Sequence, residues 1–402
     1  MLIDSINTND FNYFLPEDKI AKYPEKERDC SKLLVYNQGD ILSTQFSSIP
    51  NFLDNNDFLV FNDTKVVQAR LIFKKMTGAE IEIFLLEPIE PQDYALMFES
   101  KTGCKWKCII GNAKKWKTGT LELVIETENI KIGLFARKIE TNQDSSIIEF
   151  SWNHQAITFR EIMDKAGQTP IPPYLKRDSE EIDKKRYQTV YSKYDGSVAA
   201  PTAGLHFTND VLKKLNSKGI LTDSITLHVG AGTFKPVKSD TVFEHDMHTE
   251  HFIVSKHFID KLLQNIEHVT AVGTTTVRTL ESLYWLGYNL EKNIEHQKFH
   301  ITQWETYHKK DLISVRQSLI NVSDYLERNG IEQLSASTCI MIVPGYQFRI
   351  VKKLITNFHQ PKSTLLLLIA AFIGSSWKKV YDYALKNNFR FLSYGDSSLL
   401  IP

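Results

Sequence analysis

The sequence predicts an α/β fold, a discontinuous α/β main domain with an inserted all-β, barrel-like domain. Three observations predict it. Short apolar runs alternate with helical patterns near the start and through the second half of the chain. Residues 66–150 instead carry six strand-like runs in close succession, with no long helical pattern between them. The chain also has 402 residues, 42% of them hydrophobic, more than one typical domain needs for its core. The boundaries that follow are 1–65 and 155–402 for the α/β domain and 66–154 for the insert.

In chain order, "KLLVY" and "FLVFNDT" open the α/β domain as short strands ending in polar or turn residues. The insert then runs through "VVQARLIF", "AEIEIFLLE", "CKWKCIIG", "GTLELVIET", "KIGLFARKI" and "SIIEFSW", separated by Gly, Pro, Asn and charged turns. That spacing suits a β-barrel or sandwich. "FREIMDKAG" and "VLKKLNSKG" bring helical periodicity back. "KRDSEEIDKKRYQTVY", residues 176–191, reads as a solvated helix face. Residues 289–335 are polar and partly helical, an elaboration on the α/β domain. "LLLLIAAFI", residues 365–373, is shorter than the roughly 20 apolar residues of a membrane span, and reads as a buried core helix.

Composition narrows the function classes. Lys+Arg and Asp+Glu both number 48, so overall charge does not announce a nucleic-acid binder, although a local basic patch stays open. Cys30, Cys104, Cys108 and Cys339 form no CxxC pair, a weak basis for a metal site and a pattern at home in a reducing cytoplasm. "MLIDSINTND" carries acids and no apolar core, unlike a signal peptide. No membrane association is expected.

Several stretches carry candidate chemistry. "HVTAVGTTTVRTLESL", residues 268–283, reads as strand, glycine turn and helix, with free N–H groups at the helix start. Arg278 near that start opposes the helix dipole, which makes sense beside an anion; an ordinary βα turn is the plainer reading. "TNFHQPKSTLLLLIAAF" repeats the logic, with Pro361 in the first helical turn and Lys362 at the positive end. There a methionyl carboxylate, a phosphate or a partner Asp or Glu would satisfy the cation. "LHVGAGTF" places His228 before Gly230 and Gly232, which permit close backbone approach. "EHDMHTEHF" packs three histidines and three acids together, but their spacing matches no zinc signature. "CKWKCIIGNAKKWKTG" has five lysines and two tryptophans. It suits RNA phosphates and base stacking, or simply a lysine-guarded hairpin edge. "GSVAAPTAGLHFT", residues 196–208, is unusually rich in small residues and ends at His206.

Taken together, "FNDTKVVQARL", "PIPPYLKRDSEE…DKKRYQTVY", "GSVAAPTAGLHFT", "LHVGAGTFKPV", "VGTTTVRTLES", "PGYQFR", "TNFHQPKSTLLLL" and "FRFLSYGDSSLL" make the chain recognisable. It resembles the S-adenosylmethionine:tRNA ribosyltransferase-isomerase family of queuosine biosynthesis, in order from "FNYFLPEDKIAKYP" at residue 11 to the end. The resemblance implies an α/β domain with an inserted β-barrel. It implies a tRNA substrate carrying 7-aminomethyl-7-deazaguanine at the wobble position. S-adenosylmethionine is then a consumed ribosyl donor, and the products are epoxyqueuosine in tRNA, adenine and methionine. No metal and no tightly bound cofactor are implied, and a cytoplasmic monomer without an obligate protein partner is expected.

Within the matched motifs, His206, His228 and His359 are candidates for the proton transfers the chemistry needs. Asp63, Phe207, Gly230, Gly232, Thr233, Thr274, Thr275, Arg278, Asn357, Lys362, Ser363, Tyr394 and Asp396 are candidate substrate-binding residues. Lys105, Lys114, Lys115, Lys117 and Arg177 are candidate RNA contacts. The chain departs from the familiar family pattern at Lys65, where arginine is usual, and at Gln360, where leucine is usual. The insert lacks a lysine–proline–glycine stretch, and residues 289–335 are longer than expected. Two alternatives therefore stand beside the tRNA-modifying transferase: a relative using S-adenosylmethionine on another RNA or nucleoside acceptor, and a non-catalytic RNA-binding relative.

Overall fold

The computed structural model describes residues 6–75, 77–126, 130–142, 145–230, 239–294 and 299–402. Among them, ten strands form the main sheet. Their spatial order is His300–Ile301, Gln333–Thr338, Glu250–Ser255, Leu221–His228, Phe58–Asn62, Val269–Val272, Lys353–Asn357, Ser397–Ile401, Lys32–Asn37 and Asp40–Gln45. The four central strands, Leu221–His228 to Lys353–Asn357, run parallel. Phe58–Asn62 is buried at every position, which is why "FLVFN" reads as an unbroken apolar run rather than an alternation. After Phe58–Asn62 the chain adds Leu221–His228 on one side and later Val269–Val272 on the other. Such a reversal opens a crevice beyond the carboxyl ends of the strands, where α/β sheets bind ligands.

The expected α/β class is what the molecule has, a mixed fold with large sheets. Each of the six runs in 66–150 forms a strand. They join Gly167–Gln168 in a second, antiparallel sheet, ordered Gly167–Gln168, Arg70–Lys74, Glu80–Glu90, Gly103–Gly111, Ser146–Trp152, Lys131–Thr141 and Thr120–Glu126. Alternate residues of Gly103–Gly111 point inward, and Phe73, Ile83, Trp106, Leu134 and Phe150 help fill a core separate from that of the main sheet. Arg70–Lys74 and Thr120–Glu126, far apart in the strand order, lie against each other, so the sheet curls.

Helix starts follow ordinary chemistry. Thr158 and Glu161 form a capping box on Phe159–Ala166, and Thr208 caps Asn209–Ser217. Thr364–Ile373 is buried along most of its length, as its leucine run suggests. Among the described residues no single helix is long and apolar enough to cross a membrane. The charged run at 176–191 departs from the solvated-face expectation. Only Glu181–Arg186 is helical, and Asp183 and Tyr187 are fully buried. Asp183 is buried because Arg177 grips it with two hydrogen bonds of 2.7 and 2.8 Å.

The small-residue stretch at 196–208 is explained by close packing. Gly196, at φ +149°, lies flat on an imidazole: a Cβ there would fall 2.4 Å from His228 Nδ1. A Cβ on Gly204 would fall 1.9 Å from the Tyr191 hydroxyl. Between them, Ala199, Ala200 and Ala203 carry the backbone across the carboxyl edge of the sheet. Gly204→Ala is therefore expected to destabilise the fold by roughly 1–3 kcal/mol through overpacking. Urea unfolding checks this, with a lowered midpoint at unchanged slope as the expected result.

Candidate active site

A cleft of about 750 Å³, part of it open to solvent, lies beyond the carboxyl ends of Val269–Val272 and Lys353–Asn357. The 199–203 backbone forms one wall. Two helix starts form the others. One belongs to Thr274–Glu291, entered through Gly273 at φ +93°, a conformation that needs glycine. The other belongs to Thr364–Ile373, where the Ser363 hydroxyl accepts from the Leu366 N–H at 3.2 Å. Both present the positive end of a helix dipole to the cleft. The Pro361 expectation is corrected here. Pro361 and Lys362 precede the cap instead of opening the helix, and Lys362 has φ +54°.

Three polar atoms at the cleft lack a partner among the described residues. The Tyr187 hydroxyl, Thr275 Oγ1 and Asn357 Oδ1 are buried there without a hydrogen bond, and all three residues line the cleft. An unmet buried polar atom costs about 1–3 kcal/mol. A ligand in the cleft would meet them.

The structure separates the three candidate histidines. His359 lines the cleft, with its Nε2 3.0 Å from Thr356 Oγ1. Burial drops its pKa from 6.5 to about 3, so the ring is neutral. His206 lies one layer behind. Its Nε2 is 3.2 Å from Asn357 Nδ2 and its Nδ1 2.7 Å from Ser31 Oγ. Burial first, and then the charges of Arg390 and Arg28, lower its pKa to about 3. His228 is packed between Gly196 and Tyr94, the two rings 4.4 Å apart, and does not line the cleft. Burial lowers its pKa to about 4.

Thr274, Thr275, Asn357 and Ser363 line the cleft with His359. The remaining candidates sit elsewhere, each for a visible reason. Asp63 accepts from Thr226 Oγ1 at 2.7 Å and Ser224 Oγ at 2.8 Å. Phe207 is a core ring against Phe46 and Phe61. Tyr394 donates to Asp183 at 2.7 Å. Asp396 accepts from the Lys32 and Arg390 backbone N–H groups at 2.9 and 2.7 Å, tying two segments together. Lys362 donates to Asn9 Oδ1 at 2.6 Å. Among the described residues nothing lies within 4 Å of a Cβ placed on Gly230. Gly232 and Thr233 lie outside the described residues.

Arg278 was expected to face a ligand anion or a plain turn. It lies beyond the first helical turn, and Glu250 supplies its anion, 2.5 Å from Nη1 with both groups buried. Sequence reading also passed over Tyr174 and Tyr187, which line the cleft. Their signal was an aromatic inside each of the quoted stretches "PIPPYL" and "KKRYQTVY".

The basic insert segment is not a hairpin. Gly103–Gly111 pairs with Glu80–Glu90 and Ser146–Trp152, whereas Thr120–Glu126 pairs with Lys131–Thr141. Trp106 and Trp116 cannot serve as base-stacking platforms, because both are buried in the insert core. Lys105 is paired with Glu90, and Arg177 with Asp183 while lying over the Tyr23 ring. Lys114, Lys115 and Lys117 are exposed and have no ion-pair partner among the described residues. Among those residues, too, no group of three His, Cys, Asp or Glu is placed to hold a metal.

Fold and cleft define an α/β protein with a candidate ligand cleft at the carboxyl edge of a parallel sheet. The comparisons make the assignment particular. A family profile described as "Queuosine biosynthesis protein" matches residues 8–400, and the chain belongs to that family. It is 37% identical over 400 residues to the S-adenosylmethionine:tRNA ribosyltransferase-isomerase of Sulfurihydrogenibium sp. (strain YO3AOP1), covering 98% of this chain and 99% of that one. It is 36% identical over 401 residues to the protein of the same name from Francisella philomiragia subsp. philomiragia, covering 98% and 100%. A crystal structure of S-adenosylmethionine tRNA ribosyltransferase from Thermotoga maritima aligns over 97% of this chain and 99% of that one, at 28% identity and TM-score 0.46.

Two stability predictions follow from the buried titratable groups. Arg278→Met leaves the Glu250 carboxylate buried and unpaired, which should cost roughly 3–5 kcal/mol. A large drop in melting temperature checks it. The three buried histidines have folded pKa values of about 3 to 4 against an ordinary 6.5. The unfolded chain therefore binds more protons as pH falls, and their contribution is full above 6.5 and lost towards about 3. Denaturant midpoints measured from pH 7 to pH 4 should fall, and His206→Gln should flatten that fall.

Proposed function

We propose that the cleft binds S-adenosylmethionine as a consumed ribosyl donor, and that the insert helps hold the acceptor tRNA. The ribosyl moiety is transferred and isomerised onto 7-aminomethyl-7-deazaguanine at the wobble position, giving epoxyqueuosine-tRNA with release of adenine and methionine. The observation that carries this reading is the set of buried atoms unmet among the described residues, Thr275 Oγ1, Asn357 Oδ1 and the Tyr187 hydroxyl, beside two helix starts in one cleft. The names of the relatives supply the donor and the RNA. The helix starts suit the methionyl carboxylate. Neutral His359 suits the base that removes a proton from the ribose 5′-carbon, and His206 acts one step removed. No resident cofactor enters this scheme. We read residues 66–154 as a barrel-like inserted domain and the protein as a cytoplasmic monomer.

Donor labelled separately on ribose and on methyl, incubated with the substrate tRNA, tests the reaction. Ribose label in the RNA is expected; methyl label there would overturn it. Adenine release without tRNA would instead favour a free nucleoside acceptor. His359→Ala should lower turnover by roughly 10²- to 10⁴-fold with a much smaller change in donor binding. Replacing Lys114, Lys115 and Lys117 should weaken tRNA binding and reduce its salt slope by roughly 0.7 to 0.9 per lost phosphate contact. Filter binding across a salt series reads both effects.

A further inference from the structure

The orientation of one side-chain amide is decided by its surroundings. Asn357 ends the strand Lys353–Asn357 at the floor of the cleft. Its Nδ2 faces three groups: His206 Nε2 at 3.2 Å, the Leu392 carbonyl at 3.2 Å and the Asp396 carbonyl at 3.5 Å. Carbonyls accept and never donate, so the NH₂ end must point towards them. His206 Nε2 then has to be the acceptor, and its proton sits on Nδ1. That proton is donated to Ser31 Oγ at 2.7 Å, and Ser31 donates onward to the Arg28 carbonyl at 3.1 Å. Every donor in this chain has an acceptor. The group left over in this network is Asn357 Oδ1, buried and without a partner among the described residues.

We infer that Asn357 Oδ1 is the acceptor for an N–H of the nucleobase in the cleft, and that His206 is a positioning residue that, with the Leu392 and Asp396 carbonyls, keeps the amide oxygen turned that way. This rests on reading the cleft as a nucleoside site. The incoming donor is a neutral N–H rather than an ammonium, because two positive helix ends border the same cleft and disfavour a cation. The small-residue wall, Ala199 to Ala203, leaves room for a flat ring. The 6-amino group of the donor's adenine fits these terms: neutral, donating and carried on a flat base. The deazaguanine of the RNA acceptor also has neutral N–H groups, and the experiment separates the two sources.

The probes are S-adenosylhomocysteine, which cannot react, and S-inosylhomocysteine, whose 6-oxo group replaces the 6-amino. Calorimetry on the full-length wild-type protein should show the amino form bound roughly 10- to 100-fold more tightly, since an oxygen facing Oδ1 leaves both acceptors unmet. Asn357→Ser should lose most of that ratio, by weakening the amino form. Asn357→Ala provides the same readout should the serine variant fail to fold, and circular dichroism with a melting curve establishes folding. His206→Phe removes one of the three acceptors that hold the amide and should narrow the ratio several-fold, whereas His206→Gln, whose side-chain oxygen accepts, should restore it. A purely structural role for His206 would change stability and leave the ratio alone.

A wild-type ratio near one, or a full ratio in folded Asn357→Ser, overturns the assignment of Asn357 to adenine. A full ratio in that variant together with lost tRNA binding points to the deazaguanine and also overturns it. Binding of neither probe by the wild-type protein rejects the nucleoside reading of the cleft itself, a different failure. An unchanged ratio in folded His206→Phe overturns the positioning role.

Discussion

Burial of the Thr274–Glu291 helix decides where the rest of the site can lie. All but its last two residues are buried, so it cannot shift or rotate without dismantling the main core. Charged groups hold it at two levels. Arg278 is clamped by Glu250 from a strand near the sheet edge. Glu281 accepts from three successive backbone N–H groups, those of Arg349, Ile350 and Val351, at 2.8 to 3.0 Å, and from Tyr346. This buried carboxylate is fully satisfied, and that makes it a rigid anchor rather than a liability. It fixes the segment leading into Lys353–Asn357, and so the strand that delivers Asn357. One helix thus positions its own start at the cleft and the facing strand end.

Local chemistry was legible in the sequence; partnerships across the chain were not. The six insert strands could be read because each alternates or is bounded by turn residues. The Gly273 turn could be read because glycine between a strand and a threonine-rich helix start has few other uses. Five of the candidate site residues, Thr274, Thr275, Asn357, His359 and Ser363, meet at one cleft. The pairing of Arg278 with Glu250, and of His206 with Asn357 across 151 positions, depends on sheet order. No spacing rule reveals that. Trp106 and Trp116 show the same limit from another side: a tryptophan flanked by lysines looks exposed until the pleat of its strand or the closing of its loop turns it inward. Arg177 looked like a surface cation because its partner, Asp183, is buried by tertiary packing.

The two sheets are not joined only through their covalent connections. Tyr94, from the helix Tyr94–Phe98 within the second sheet's sequence, lies on the His228 ring at the end of a main-sheet strand, with Gly196 behind it. The parallel pairing of Thr64–Val66 with Tyr194–Ser197 ties the chain just before the second sheet's strand Arg70–Lys74 to the start of the small-residue stretch. These contacts share a compact junction between the two sheets that also starts the small-residue wall of the cleft.

That wall has an evolutionary consequence. Gly196 is pressed by His228 and Gly204 by Tyr191, and residues 199–203 between them face the cleft. A larger side chain at Gly196 or Gly204 has nowhere to go, and a shift of the wall must carry the core with it. Single substitutions there cannot reshape the ligand pocket gradually. Variation has freer ground on the second sheet's exposed lysines, where the side chains of Lys114, Lys115 and Lys117 reach into solvent. The architecture divides the chain into a part that resists drift and a part open to it, and the boundary between them is the junction at Tyr94 and His228.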